Sequence, residues 1–439
     1  MRPALPRRAD VFLSPHYQVG AWFHTAQSIV LRHEPIRYGD ETNCTEQIIH
    51  DLTRCVLHPA VSHVGFASLA VPTYRASTIK YEDAQSFAER WHRGFDGYTY
   101  GLHGTPTTRT LEGQISELHG GIRTILVPSG QAAITFTMLP FLRPGDRVLI
   151  PDHVYGPVRQ FCCDYLAPRG IEHTVYDPMI GSRIGDVITG GTKLVWIESP
   201  GTGTMEVQDV PAIIRAAKAK GALVGCDNTW ATPLLFKPLA HGADFAVEAL
   251  SKYVGGHSDL LLGSITVGDI ELHRQIKLVV HHIGVAVSPD EVSLALRGIE
   301  TMGVRVAHAG RVSVAFAERM QRFAVVERVL HPALPSCPGH EFWKRDFSGS
   351  AGLFSVVLKP EVAAQLGPAM KALKLFAIGA SWGGTRSLIA PMVVKAHRTA
   401  VPWPHDGTIL RISIGLEDPD DLWNELESLL RTLESGLTS

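Results

Sequence analysis

From about residue 123 the chain alternates short, β-branched apolar runs with longer amphipathic ones. TILVPS, DRVLIPD, EHTVYD, KLVWIES, ALVGCDN, DFAVEAL and LLLGSITV read as strands, with GQAAITFTMLPFL, GPVRQFCCDYL and VPAIIRAAKAK as intervening helices. The strands are apolar without strict alternation, as expected when both faces of a sheet are covered. Strand and helix in turn predict an α/β fold, a mainly parallel, doubly wound sheet with its ligand crevice at the carboxyl ends of the strands. Ser129, Asp152, Tyr155, Asp227, Thr229, Ser251 and Lys252 all fall at such ends, so that edge is where a site is expected.

Beyond about residue 288 the pattern changes to one long helix, SPDEVSLALRGIETMGVRVAHAGRVSVAFAERMQRF, and then to a smaller α+β domain. That domain is built from the strands GLFSVVL, LFAIGAS and TILRISIG, a helix near 361–374 and a last helix in EDPDDLWNELESLLRTLE. Asp418 is placed to cap the last helix, with Pro419 as its first residue and acids in its first turn. The expected boundaries are an extension over 1–44, an arm over 45–100, a large α/β domain over 101–290, a linking helix over 291–330 and a C-terminal α+β domain over 331–439.

The 439 residues exceed what one core usually holds, in keeping with two domains. A net charge of −2 argues against binding to nucleic acid or anionic membrane through bulk charge. Six scattered cysteines without metal spacing point to a reducing, cytoplasmic setting and to no metal centre. No apolar run reaches the ~20 residues of a membrane span. Residues 1–44 lack the apolar region and cleavage site of a secretory signal and read as a flexible extension.

The chemistry centres on Lys252 in EALSKYVGGHSD. A lysine at the end of a core strand either snorkels to solvent or serves as a catalytic amine, because burying its ammonium is costly. Three other features bear on that choice. Asp227 ends the buried strand ALVGCDN; VPSGQAAITF runs a strand through Ser129, Gly130 and Gln131 into a helix N-terminus suited to phosphate; and Arg411 sits inside a strand, where its fork could take a carboxylate. Together they form an inventory for pyridoxal 5'-phosphate chemistry. His281 and His282 are expected to be structural, His257 to fix the loop after Lys252, and the glycines of that loop to leave room for a cofactor.

YGLHGTPTT, SKYVGGHSD, WIESPGTGTMEVQDVPAI, DNTWA, HPALPSCPGHEFWKRDFSGSAGLFS, SWGG and RISIGLEDPDDL occur in order from about residue 45 onward. Through them the chain resembles the fold-type I, pyridoxal-phosphate-dependent enzymes of cysteine and methionine metabolism, and among these the bacterial cystathionine β-lyases. The resemblance implies an aspartate-aminotransferase-like fold and β-elimination of L-cystathionine to homocysteine, pyruvate and ammonia. The alternatives are a broad cysteine-S-conjugate β-lyase, a γ-lyase or γ-synthase, and a non-catalytic cofactor-binding regulator. It further implies that Lys252 is the Schiff-base lysine, Asp227 the partner of the pyridine nitrogen and Tyr155 a ring stacked on the cofactor that also serves in catalysis. Ser129, Gly130, Gln131, Thr229 and Ser251 would surround the cofactor, while Arg411, Ser381 and Trp382 would hold substrate. Tyr100 would reach the phosphate of a neighbouring subunit, implying a homodimer of active sites and a homotetramer. The family commonly has an arginine two positions after this tyrosine, where this chain has Leu102. His103, Arg109 or the extension would have to compensate.

Overall fold

The computed structural model describes residues 64–94 and 96–437. The predicted extension over 1–44, the first part of the arm, Cys44 and Cys55 therefore lie outside the described residues. By its contacts the chain divides between Ser68 and Leu69, and all elements below belong to the second unit.

Seven strands form the larger sheet: β1 (Arg123–Val127), β2 (Arg147–Pro151), β3 (Glu172–Tyr176), β4 (Thr192–Glu198), β5 (Leu223–Asp227), β6 (Phe245–Ala249) and β7 (Gly263–Val267), in the order β1-β7-β6-β5-β4-β2-β3. Strands β3, β2, β4, β5 and β6 run parallel; only β7 is reversed, pairing antiparallel with both β1 and β6. Both faces are covered, and the strands show why the sequence lacks alternation. Leu194 and Trp196 of β4 join one apolar core, Val195 and Ile197 the other, and all four are fully buried. Each such side chain removed from water contributes roughly 1.5–3 kcal/mol.

The helices that cover the sheet include α1 (Pro106–His119), α2 (Gly130–Met138), α3 (Val210–Ala219), α4 (Ile270–Ile283) and α5 (Pro289–Met320). Leu111 and Ile115 of α1 and Ile213 and Ile214 of α3 enter one core, while Ile134 of α2 and Ile276 of α4 enter the other. No helix among the described residues is long and apolar enough to cross a membrane.

A second sheet of five strands, β8 (Val326–Leu330), β9 (Leu353–Leu358), β10 (Ala377–Ile378), β11 (Leu388–Met392) and β12 (Ile409–Ser413), has its own core with α6 (Ala363–Met370) and α7 (Pro419–Ser435). Asp418 caps α7 by accepting from the Asp420 and Asp421 amides, and Leu422, Leu426, Leu429, Leu430 and Leu433 form its buried stripe. Two elements differ from the sequence pattern. α5 ends at Met320, so Val326–Leu330 is an edge strand and not part of the linking helix; Glu327 and Arg328 there obscure any apolar run. β11 contains Pro391, a residue that argues against a strand, and escaped notice for that reason.

Candidate active site

β5 ends at Asp227, β6 ends at Ala249 three residues before Lys252, and α2 begins just after Ser129. One pocket at this strand-end edge is lined by Ser129, Gly130, Gln131, Tyr155, Glu198, Asp227, Thr229, Ser251, Lys252, Trp382 and Arg411. Residues from Ser129 to Lys252 share one cavity because parallel strands deliver their carboxyl ends to a common edge, and Trp382 and Arg411 reach it from the domain of the second sheet.

Lys252 Nζ donates to Ser381 Oγ at 2.7 Å and lies 5.7 Å from the centre of the Trp382 ring. Burial pulls its pKa below the ordinary lysine value, the Arg411 charge pulls the same way, and Asp227 opposes them. Asp227 accepts from the Thr229 amide at 2.9 Å. Burial raises its pKa against that hydrogen bond, the nearby Glu248 raises it further, and Lys252 opposes. Thr229 Oγ1 in turn accepts from the Ala249 amide at 2.9 Å, locking the end of β5 to the end of β6. Arg411, in β12 and 7% exposed, donates one arm to the Ala380 carbonyl at 2.5 Å. Burial is also the larger influence on its guanidinium, lowering its pKa against the attraction of Tyr155.

The opening of α2 is a close fit. Ser129 caps it by accepting from the Ala132 amide at 3.1 Å, and a side chain at Gly130 would meet the Ala249 Cβ at 2.5 Å. The amides of Gly130 and Gln131 precede the first intrahelical bonds, and the buried Gln131 Oε1 has no partner. A phosphate-bearing ligand suits this end of the pocket, since free amides and the helix dipole favour an anion.

Other expectations resolve differently. Ser251 lines the pocket, but its hydroxyl is engaged by Leu262, donating to the carbonyl at 3.3 Å and accepting from the amide at 3.0 Å. The glycines after Lys252 serve packing and not cofactor room: Gly256 has φ +72°, and a Cβ there would lie 2.0 Å from Arg305 Nη1 on α5. His257 does hold this loop, through the Gly255 carbonyl at 2.8 Å. Tyr100 is 49% exposed and does not line the pocket. Leu102 lies in the short helical turn Gly101–His103. His103 stacks on His281 with ring centres 4.2 Å apart, and Arg109 pairs with Glu112 at 2.6 Å. Neither lines the pocket, so within the protomer neither stands in for the arginine missing at Leu102. Among the described residues no cluster of three or more histidines, cysteines or acids could hold a metal.

Glu198 was not singled out in the sequence. It ends β4 in register with Asp227 and is 6% exposed. Its position at a strand end, within WIESPG, was the available sign.

A pocket that buries an amine and an acid together, with a helix N-terminus at one end and an arginine at the other, meets the needs of a pyridoxal-phosphate-dependent enzyme, and the surrounding fold is of the aspartate-aminotransferase-like class. The chain belongs to the Cys/Met metabolism PLP-dependent enzyme family, whose pattern matches residues 53–431. It is 42% identical over 360 residues to a putative cystathionine beta-lyase of Rhizobium johnstonii, covering 81% of this chain and 89% of the relative. It is 36% identical over 378 residues to an L-alanine/L-glutamate racemase of Wolbachia pipientis, covering 83% and 93%. A crystal structure of cystathionine gamma synthase from Xanthomonas oryzae in complex with cystathionine matches with a TM-score of 0.76 at 29% identity, covering 85% of this chain and 95% of that one.

Proposed function

We propose that this enzyme is a carbon–sulfur lyase that cleaves L-cystathionine by β-elimination, with addition of water, to homocysteine, pyruvate and ammonia. The observation that carries the reading is Lys252: a half-buried amine with a depressed pKa, held by Ser381, in one pocket with Asp227 and Arg411. Pyridoxal phosphate, when bound, supplies the electron sink for this chemistry. Ser129, Gly130 and Gln131 would hold its phosphate, Tyr155 and Thr229 its ring, and Asp227 the proton on its pyridine nitrogen. Lys252, freed as a neutral amine, takes the proton from the substrate α-carbon. Lys252 or Tyr155 then gives a proton to the departing sulfur. Arg411 orients the substrate carboxylate from the second sheet, with Ser381 beside it and Trp382 as a wall.

The relative named a β-lyase, at 42% identity, supports β-elimination over the γ-chemistry of a structural neighbour at 29%. The exposed Tyr100, outside its own protomer's pocket, supports a homodimer in which it serves a second copy. Purified enzyme given L-cystathionine should release pyruvate as the dominant keto acid; dominant 2-oxobutyrate, or racemisation of L-alanine faster than pyruvate release, would overturn the assignment.

Two further results are expected. Arg411→Lys should raise KM for L-cystathionine about 10–100-fold while kcat falls less than about fivefold, since lysine lacks the two-pronged fork and the lost contact is made equally in ground and transition states. Steady-state kinetics against substrate concentration check this. Because Lys252, once freed by the substrate, must be neutral to act and its pKa is lowered, the rising limb of kcat against pH should lie below the ordinary lysine value of 10.5. A limb at or above that value would show that Lys252 is not the base.

A further inference from the structure

Glu198 has a network of its own. Oε2 accepts from the Tyr155 amide at 2.7 Å, and Oε1 accepts from the Thr202 amide at 2.9 Å and from the Thr202 hydroxyl. The donors are all uncharged, and no ion pair is formed by this carboxylate among the described residues. Its main-chain carbonyl is fixed too, by His153 Nε2 at 2.8 Å. The other nitrogen of His153 lies 3.2 Å from Glu206 Oε2, and Glu206 is gripped by both arms of Arg398 at 2.7 and 3.0 Å.

We propose that Glu198 is a positioning residue for the cofactor pocket, its carboxylate joining the backbone of Tyr155 to the Thr202 loop and thereby fixing where the Tyr155 ring stands. Tyr155 is the N-cap of the short helix Gly156–Gln160 and is 41% exposed, and its amide is held by the Glu198 carboxylate. A cheaper residue could have served a purely structural purpose. An acid buried beside Asp227 is disfavoured, and burial followed by Asp227 repulsion pushes the Glu198 pKa to about 7 against the Thr202 hydrogen bond. Glutamine in its place would keep the shape but put an NH2 where one carboxylate oxygen now accepts, so either the Tyr155 amide or the Thr202 amide would lose its acceptor.

The inference rests on the reading of this pocket as a pyridoxal phosphate site, and the test separates the two. Pyridoxal phosphate affinity of the cofactor-free full-length protein is measured by equilibrium dialysis, with visible circular dichroism of the bound cofactor, for wild type, Glu198→Gln, Tyr155→Ala and the double variant. No binding by wild type would refute the cofactor site itself. If wild type binds, Glu198→Gln should weaken affinity about tenfold, as expected for loss of a charge-assisted hydrogen bond, and change the dichroism of the cofactor band. The effects of Glu198→Gln and Tyr155→Ala on affinity should be non-additive, since Glu198 acts through the ring that alanine removes. Thr202→Val, which removes one donor from the same carboxylate and tests the link should Glu198→Gln not fold, should shift affinity and dichroism in the same direction by a smaller amount. Unchanged affinity and dichroism in a folded Glu198→Gln or, failing that, in Thr202→Val, or strict additivity with Tyr155→Ala, would overturn the inference.

Discussion

Lys252→Ala is expected to lower kcat/KM for L-cystathionine by about 10⁴-fold or more, because one substitution removes both the base at the α-carbon and the amine that anchors the cofactor. The fold should tolerate the change. The Lys252 side chain makes one recorded hydrogen bond, to Ser381, and its burial is unfavourable to the charged form. The thermal midpoint of the cofactor-free variant should therefore stay within a few degrees of wild type. Pyruvate release measured beside a melting curve separates these outcomes. A variant that keeps a tenth of the activity would place the reacting amine elsewhere.

Asp227→Asn should lower kcat by about 10²–10³-fold while leaving the cofactor-free protein as stable or more stable. The two effects have one cause. The Asp227 charge is needed to hold a proton on the cofactor ring, yet in the cofactor-free protein burial disfavours it and it lies near Glu198 and Glu248. Its raised pKa gives the pH sign. The protonated form is favoured in the fold, so the ionised acid makes a destabilising contribution as pH rises from the unfolded value of 3.8 towards the folded one, and asparagine removes that contribution. Kinetics with saturating cofactor and denaturation of the cofactor-free form provide the check. Full activity with a neutral residue at 227 would exclude the proposed role.

The larger sheet could be read from the sequence because its strands are covered on both faces, which leaves unbroken apolar runs such as KLVWIES and DFAVEAL. β8 and β11 could not, since their exposed positions admit Glu327 and Pro391 and a half-buried one Arg328. The same contrast holds at the site. Asp227 and Lys252 stand out as charges at the ends of apolar runs, and the fold brings both to one pocket. Glu198 ends a strand in the same manner, but its meaning depends on the amides of Tyr155 and Thr202, and on a register with Asp227 that local sequence does not encode. The glycine at 256 misled for a related reason. Its constraint comes from Arg305 of α5, more than 40 residues further along the chain.

Borohydride reduction of the purified, cofactor-loaded protein, followed by peptide mapping of the modified residue, tests the centre of this reading most directly. Reduction should abolish the visible absorbance of the bound cofactor and leave a single stable pyridoxyl adduct on Lys252. An adduct on any other lysine, or no adduct in protein that retains lyase activity, would contradict the assignment of Lys252 as the reacting amine.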